Sequence, residues 1–174
     1  MSGFKGLQQR PGGGGAPRGL GSGSPGGGGG QDTRARIAAL LRPPAQPVRY
    51  FAANDRAVRA ELLGAEAEEV AKRLAPVPAS QLRRFYAEVS ALKRRAELGA
   101  AEDAEIRAQL TLLRAKAAYT LGRQTRYPDE LVAFFNRHAH SVQGRDDFLR
   151  GFQPHFEAVM AFHKVFEEKR GAEA

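Results

Sequence analysis

Basic side chains dominate the residues of this chain that could do chemistry, and they cluster on two segments with helical spacing. The first segment is about residues 80–97, and the second is about residues 102–121 with the loop that follows. Their basic residues are Arg83, Arg84, Lys93, Arg94, Arg95, Arg107, Arg114, Lys116, Arg123 and Arg126. A guanidinium group presents a planar fork of donors that fits a phosphate group. Such contacts hold a nucleic-acid backbone and do not read its sequence. The pattern therefore indicates a phosphate-binding surface.

Helical spacing brings several of these cations onto common faces. Lys116, Tyr119 and Arg123 follow i, i+3, i+7 and share one face of the second segment. Arg83 and Arg94 lie three turns apart on one stripe of the first segment. The opposing interpretation is an ordinary solvated surface, because four glutamates between residues 88 and 105 dilute the positive charge. Spacing alone leaves both interpretations open.

A second pattern indicates a different chemistry near the C-terminus. The run Arg150-Gly-Phe-Gln-Pro-His155 matches R-x4-H, the signature of HEPN-type ribonucleases, which are also small and all-helical. There the arginine would hold a phosphate and the histidine would move a proton. Pro154 directly precedes the histidine and disturbs the helix that should present both side chains. We therefore keep a ribonuclease built on Arg150 and His155 as the alternative function.

The sequence lacks the residues that other kinds of functional site require. The chain has no cysteine, so we expect no thiolate metal site and no cysteine nucleophile. His138 and His140 are two residues apart, which directs them to nearly opposite faces of a helix and prevents them from sharing a metal. The G-x-G-x-x-G run at Gly21–Gly26 has glycines on both sides instead of a strand and a helix. The sequence predicts neither a metal nor a cofactor.

Charge and hydropathy narrow the class of protein. Lys+Arg 27 against Asp+Glu 19 gives a formal net charge of +8, which permits binding to a polyanion such as RNA. No apolar run approaches the roughly 18 residues of a membrane span, and the N-terminus lacks the apolar core of a signal peptide. We therefore expect a soluble cytoplasmic protein that does not contact a membrane.

Glycine divides the chain into two parts. Residues 1–30 hold 14 of the 20 glycines, and they cannot bury enough apolar surface to offset the entropy of ordering them. We predict a flexible, disordered glycine-rich tail there. Residues 31–174 are rich in the helix formers Ala, Leu, Arg and Glu and poor in β-branched residues. This part is predicted to be one domain.

Apolar periodicity predicts that the domain is an all-α, compact bundle of five or six helices. The helical segments are expected at about 33–41, 56–74, 80–97, 102–121, 128–142 and 145–168. Gly64 should split or bend the second segment, and Pro154 should kink or divide the last. Phenylalanines of the last segment should supply much of the core.

The order of residues within these segments resembles a known family. Ser80-Gln-Leu-Arg-Arg-Phe-Tyr86, then Leu112-Leu-Arg-Ala-Lys-Ala-Ala-Tyr-Thr-Leu-Gly-Arg123, and finally Phe156-Glu-Ala-Val-Met-Ala-Phe-His-Lys164 are similar to the small helical subunit of type III-A (Csm) CRISPR effector complexes. The resemblance covers about residues 74–168. The glycine-rich tail is not part of the family pattern, and residues 31–73 match it poorly.

This resemblance implies a non-catalytic, all-helical RNA-binding protein present in several copies. The copies would stack along the guide RNA and its target RNA, beside the backbone subunits and below the large signature subunit. The family's basic positions fall on Arg83, Arg84, Lys116 and Arg123, and the helical wheel alone adds Arg94, Arg107 and Arg114. A helical scaffold that self-assembles without RNA is a third interpretation.

Overall fold

The computed structural model describes residues 28–53 and 57–172, with side chains at 29–53 and 57–167. Its α-helices are α1 (Gly28–Leu40), α2 (Ala60–Leu63), α3 (Ala65–Leu74), α4 (Ala79–Glu97), α5 (Asp103–Arg123), α6 (Glu130–Ser141) and α7 (Gln153–Ala172), with a π-helical segment at Asp147–Phe152. The described part of the chain contains no strand, only an isolated bridge between Phe51 and Val58. The predicted all-α bundle is confirmed.

The helical segments lie close to the positions that periodicity predicts. Gly64 separates the single turn of α2 from α3, so the predicted segment 56–74 is split there. Helix α1 begins at Gly28, five residues before the expected start, and residues 28–30 of the predicted tail form its first turn. Residues 1–27 of that tail lie outside the described residues.

Helices α4 and α5 are amphipathic because their apolar residues recur at helical spacing. On α4 the buried side chains repeat every three or four residues, and the same holds on α5; they are Leu82, Phe85, Val89, Leu92 and Ala96, and Ile106, Leu110, Leu113, Ala117 and Leu121. Each set forms one stripe along its helix. Burying these stripes leaves the opposite faces of both helices, with their cations, in contact with solvent.

An aromatic cluster occupies the centre of the bundle. Phe134 of α6 has ring contacts with Phe135, Phe152 and Phe156, at centroid separations between 5.3 and 6.1 Å. Phe85 of α4 joins the cluster through Phe135, at 4.7 Å. The rings therefore connect α4, α6, the π-helical segment and α7. The expectation that phenylalanines of the last segment fill the core is confirmed.

The segment between α1 and α2 is attached to this core through Tyr50. The Tyr50 hydroxyl lies 2.8 Å from Nδ1 of buried His138, and burial raises the pKa of Tyr50 well above its usual value. The protonated hydroxyl therefore donates to the imidazole. The Tyr50 ring packs directly on Gly151, where a Cβ atom would lie only 2.5 Å from the ring. Glycine at position 151 is required for this approach.

Helix α1 packs against α5 and α6 and is held at its middle by Arg36. The Arg36 guanidinium donates to the backbone oxygens of Thr125 and Tyr127, at 2.8 and 2.9 Å, and pairs with Asp129. These groups belong to the loop that joins α5 to α6. None of the helices in the described ranges is both long enough and apolar enough to span a membrane.

Replacing Gly151 by alanine should destabilise the protein, because the new methyl group would overlap the Tyr50 ring. We expect Gly151→Ala to lower the free energy of unfolding by about 1–3 kcal/mol, measured by urea denaturation. Gly122→Ala in α5 is the control, since its Cβ would meet only Ile37 Cδ1 at 3.5 Å. That variant should be neutral or slightly more stable. Equal losses in both variants would contradict the packing argument.

The free energy of unfolding should also decrease as the pH falls, because two buried histidines are neutral in the folded protein. Desolvation lowers the pKa of His138 well below its usual value, with nearby His155 and Arg137 adding to the effect. Burial likewise lowers the pKa of His155, although its bond to the Leu62 carbonyl and the charge of Glu66 oppose the shift. Unfolded histidine takes up a proton near pH 6.5, whereas these rings do so only at lower pH. The unfolded state therefore binds more protons below that value.

The free energy of unfolding should accordingly be greatest above pH 6.5 and decline as the pH falls from 6.5 to 5. Each histidine should contribute up to about 1.4 kcal/mol per pH unit. Urea denaturation across this range measures the slope. His138→Gln should flatten it, whereas His140→Gln, at a partly exposed position, should keep the wild-type slope. A slope that His138→Gln leaves unchanged would exclude His138 as its source.

Candidate nucleic-acid interface

Helices α4 and α5 form an antiparallel pair whose exposed sides define a groove. The chain reverses direction at Gly99, which has a φ of 69°, a conformation that glycine adopts without strain. Near this turn Arg95 of α4 pairs with Glu105 of α5. Further along, Lys116 Nζ lies 2.6 Å from an Oε of Glu88. These two ion pairs mark the course of the groove between the helices.

Away from the turn the groove widens into two adjoining cavities of about 190 and 270 Å³. We call them together the α4–α5 cleft. It is lined by Gln81, Arg84, Phe85, Glu88, Lys116, Tyr119, Thr120, Arg123 and Gln124. Three of the seven predicted site residues, Arg84, Lys116 and Arg123, are therefore brought together in one place.

The three cations of the cleft differ in their partners. Arg84 is exposed and makes no ion pair with any residue in the described ranges. Lys116 is bound to Glu88, which neutralises part of its charge. Arg123 donates from Nη1 to the hydroxyl of Tyr119 at 3.2 Å. Arg84 and Arg123 therefore keep a full positive charge available to a ligand, and Lys116 shares its charge with a carboxylate.

Two further predicted residues, Arg83 and Arg94, lie on the outer stripe of α4 and do not line the cleft. Both are exposed, and the described side chains offer neither of them an ion pair. Because they are eleven residues apart, they lie about three turns from each other on nearly the same side of the helix. They extend the positive surface of the cleft along the outside of α4.

The last two predicted residues, Arg107 and Arg114, lie on the other flank of α5 and are not brought together with the cleft. Arg107 Nη1 donates to the backbone oxygen of Gln143 at 2.6 Å, just after α6 ends. Arg114 Nη2 donates to the backbone oxygen of Leu41 at 3.1 Å, just after α1 ends. Both guanidinium groups therefore satisfy carbonyl groups at helix C-termini, where a positive charge also complements the helix dipole.

Sequence reasoning did not select the uncharged residues of the cleft. Gln81, Thr120 and Gln124 supply hydrogen-bonding groups, and Tyr119 supplies an exposed ring. In the sequence, the helical spacing indicates only that Tyr119 shares a face with Lys116 and Arg123. The missing signal was the pairing of helices: once α4 is aligned antiparallel to α5, Gln81 and Arg84 fall opposite Tyr119 and Thr120.

The two residues of the alternative nuclease pattern have different surroundings. Arg150 is exposed, pairs with Asp146 at 3.1 Å and stacks over the Phe51 ring at 5.3 Å. His155 is buried, with only 3% of its surface exposed, and its Nδ1 is bonded to the Leu62 carbonyl. The π-helical segment ends at Phe152 and α7 begins at Gln153, so the last predicted helix changes from π- to α-helical geometry just before Pro154. The imidazole faces the core and is not presented beside the guanidinium.

A second cavity, of about 340 Å³, lies between α3 and α6. The two arginines that line it are already paired outside the cavity: Arg73 and Arg137 both donate to Glu130, at 3.0 and 2.6 Å. His138 and His155 close its inner side, and their lowered pKa values follow from burial. No group of three or more metal-ligating side chains is found in the described ranges. The charges of this cavity hold α3 against α6.

The fold and the cleft define a small all-helical protein that buries an aromatic core and presents arginine and lysine on one pair of helices. Residues 57–169 match the family model of Csm2 Type III-A. The chain belongs to this family, and it is a small subunit of the type III-A CRISPR (Csm) complex. The match includes both helices of the cleft and leaves α1 outside. No curated protein and no solved structure matches the chain.

Proposed function

We propose that this chain is a non-catalytic RNA-binding subunit of the type III-A interference ribonucleoprotein and acts in antiviral defence. The observation that carries the proposal is the convergence of Arg84, Lys116 and Arg123 on one cleft, with Arg83 and Arg94 exposed on the outside of α4. All five lie in the segment that the Csm2 Type III-A model matches. Its RNA partners make the cytoplasm the expected location.

The proposed mechanism is electrostatic. Arginine and lysine of the cleft would neutralise phosphates of the guide RNA–target RNA duplex, or of its single-stranded parts, without reading base identity. A protein that only stabilises a duplex formed by base pairing needs phosphate contacts and shape, not base recognition. Several copies would stack along the RNA, so that individually weak contacts add through linkage. Backbone subunits, the large signature subunit and other copies of this chain are the proposed protein partners.

The surroundings of Arg150 and His155 support a non-catalytic role. A ribonuclease needs a histidine within hydrogen-bond reach of the proton that it moves. The buried His155 ring is instead bonded to a backbone carbonyl, and Arg150 extends toward Asp146 and Phe51. Cleavage in the complex is therefore assigned to other subunits. His155→Ala should affect stability and leave RNA binding by folded protein intact.

Purification of the tagged chain from its host under gentle conditions tests the assembly. We expect other Csm subunits and short guide RNAs to be recovered with it, identified by mass spectrometry and RNA sequencing. Treating the extract with ribonuclease before purification should reduce the recovery of subunits that RNA joins. Recovery of the protein alone, without RNA or other subunits, would contradict the proposal. Oligomers that persist after ribonuclease at high salt and ignore added RNA would favour the RNA-independent scaffold.

Titration of single-stranded RNA at several salt concentrations tests the electrostatic mechanism. If Arg83, Arg84, Lys116 and Arg123 contact phosphates, log K against log salt should have a slope of about −3. Arg84→Ala should reduce the magnitude of this slope by about 0.7 and weaken binding to all sequences about equally. Arg34→Ala is the matched control, because Arg34 is exposed on α1 and lies outside the cleft.

In the same titration, Glu88→Gln should change the RNA affinity in the direction opposite to Arg84→Ala. This substitution removes the negative charge beside Lys116, so RNA should bind more tightly and with a steeper salt dependence. Lys116→Ala should have the reverse effect. A slope near zero, or a loss confined to particular sequences after Arg84→Ala, would exclude phosphate neutralisation by the cleft.

A further inference from the structure

Tyr119 is the one tyrosine of this chain that is exposed. Tyr50 and Tyr127 are buried, and Tyr86 is partly buried, packing edge-on against Phe156. Tyr119 exposes 67% of its surface although it lies in the middle of the cleft wall on α5. Exposing a large ring costs hydrophobic free energy that folding alone would recover by burial. The ring is therefore available to an external ligand.

Arg123 holds the Tyr119 ring in a defined position. Its Nη1 donates to the phenol oxygen at 3.2 Å, and its Cζ lies 5.9 Å from the ring centroid. The two residues are four apart on α5, which places them on adjacent turns. A ring that is already oriented loses less conformational entropy when a ligand stacks on it. The guanidinium over the ring also leaves positive charge next to any group that contacts the ring.

The cavity beside the ring holds groups that a nucleotide can bind, together with the carboxylate of Glu88, which pairs with Lys116. Arg84 and Lys116 supply cations for a phosphate on either helix, and Gln81 and Thr120 supply hydrogen-bonding groups to the same cavity. Aromatic rings beside a positively charged groove are the usual means of holding single-stranded nucleic acid, because every base has a face on which a ring can stack. A base within a duplex already has both faces covered by its neighbours.

We propose that Tyr119 is a stacking platform for one unpaired base of RNA, whose flanking phosphates are held by Arg84 and Lys116. This inference rests on the proposed RNA-binding function and adds a specificity to it. The cleft distinguishes an unpaired nucleotide from a paired one without distinguishing the four bases. Phosphate neutralisation alone would not favour the unpaired nucleotide, since a duplex has a higher charge density than a single strand.

Comparing two probes of equal charge measures the contribution of base stacking to RNA binding. We would titrate the full chain at low salt with a fluorescein-labelled twelve-nucleotide RNA and with the same sugar–phosphate chain lacking all its bases. The wild type should bind the complete RNA about tenfold more tightly than the abasic chain, as one base–aromatic stack requires. Tyr119→Ala should remove this difference and bind the abasic chain as the wild type does.

Matched variants separate stacking from other effects of the substitution. Tyr119→Phe keeps the ring and should retain the tenfold preference, whereas Tyr119→Leu keeps apolar surface without a ring and should lose it. Because Tyr119 is mostly exposed, thermal unfolding should be nearly unchanged in all three variants. Binding of a blunt RNA duplex should be the same for wild type and Tyr119→Ala.

The outcomes distinguish this inference from the function on which it rests. If the wild type binds both probes equally, or if Tyr119→Ala weakens both by the same factor, stacking is wrong and the electrostatic function stands. If the wild type binds neither probe at low salt, the electrostatic mechanism and the stacking platform are both overturned, and purification from the host remains the test of assembly.

Discussion

The aromatic contacts around Phe134 are the constraint on which the rest of the fold depends. Its ring touches residues of α6, the π-helical segment and α7, and neighbouring His138 and His155 extend the cluster to the segment before α2 and to α2 itself. Both histidines must stay neutral to remain there, because an uncompensated charge in this apolar environment would be costly. Their polar atoms therefore bond to Tyr50 and to the Leu62 carbonyl. With the core closed in this way, α4 and α5 bury one stripe each and are left with charged outer faces.

The cations on those outer faces divide into two groups by what lies opposite them. On one flank of α5, Arg107 and Arg114 face the ends of neighbouring helices and bind backbone carbonyls there. On the other flank, the groove to α4 offers Lys116 a single carboxylate, that of Glu88. Backbone carbonyls are fixed in place, whereas a glutamate side chain can turn aside for a phosphate. The same helix thus uses arginine to hold the bundle together on one side and presents positive charge to solvent on the other.

Much of this arrangement could be predicted from the sequence because it depends on local properties of the chain. The contacts between distant segments could not be predicted in this way. The stripes of α4 and α5 and the break at Gly64 follow from spacing and from the conformational freedom of glycine, which are local properties. A helical wheel gives the angle of a side chain about its own helix, but it does not say which neighbour occupies that angle. For this reason the helical wheel groups Arg107 and Arg114 with the cleft residues, although they face other helices. The approach of Tyr50 to Gly151 joins positions about a hundred residues apart, and no local pattern indicates it.

Helix α1 lies outside the family match, and its position leaves the cleft uncovered. Ile37 packs beside Gly122, and Arg36 binds the loop after α5, so α1 occupies the flank that Arg107 and Arg114 also face. The cleft lies on the flank turned toward α4. An added helix on the cleft side would have covered Tyr119 and the cations around it. On the opposite side it can strengthen the packing of α5 while the cleft stays open, so the extension and the proposed RNA-binding surface are compatible in one small domain.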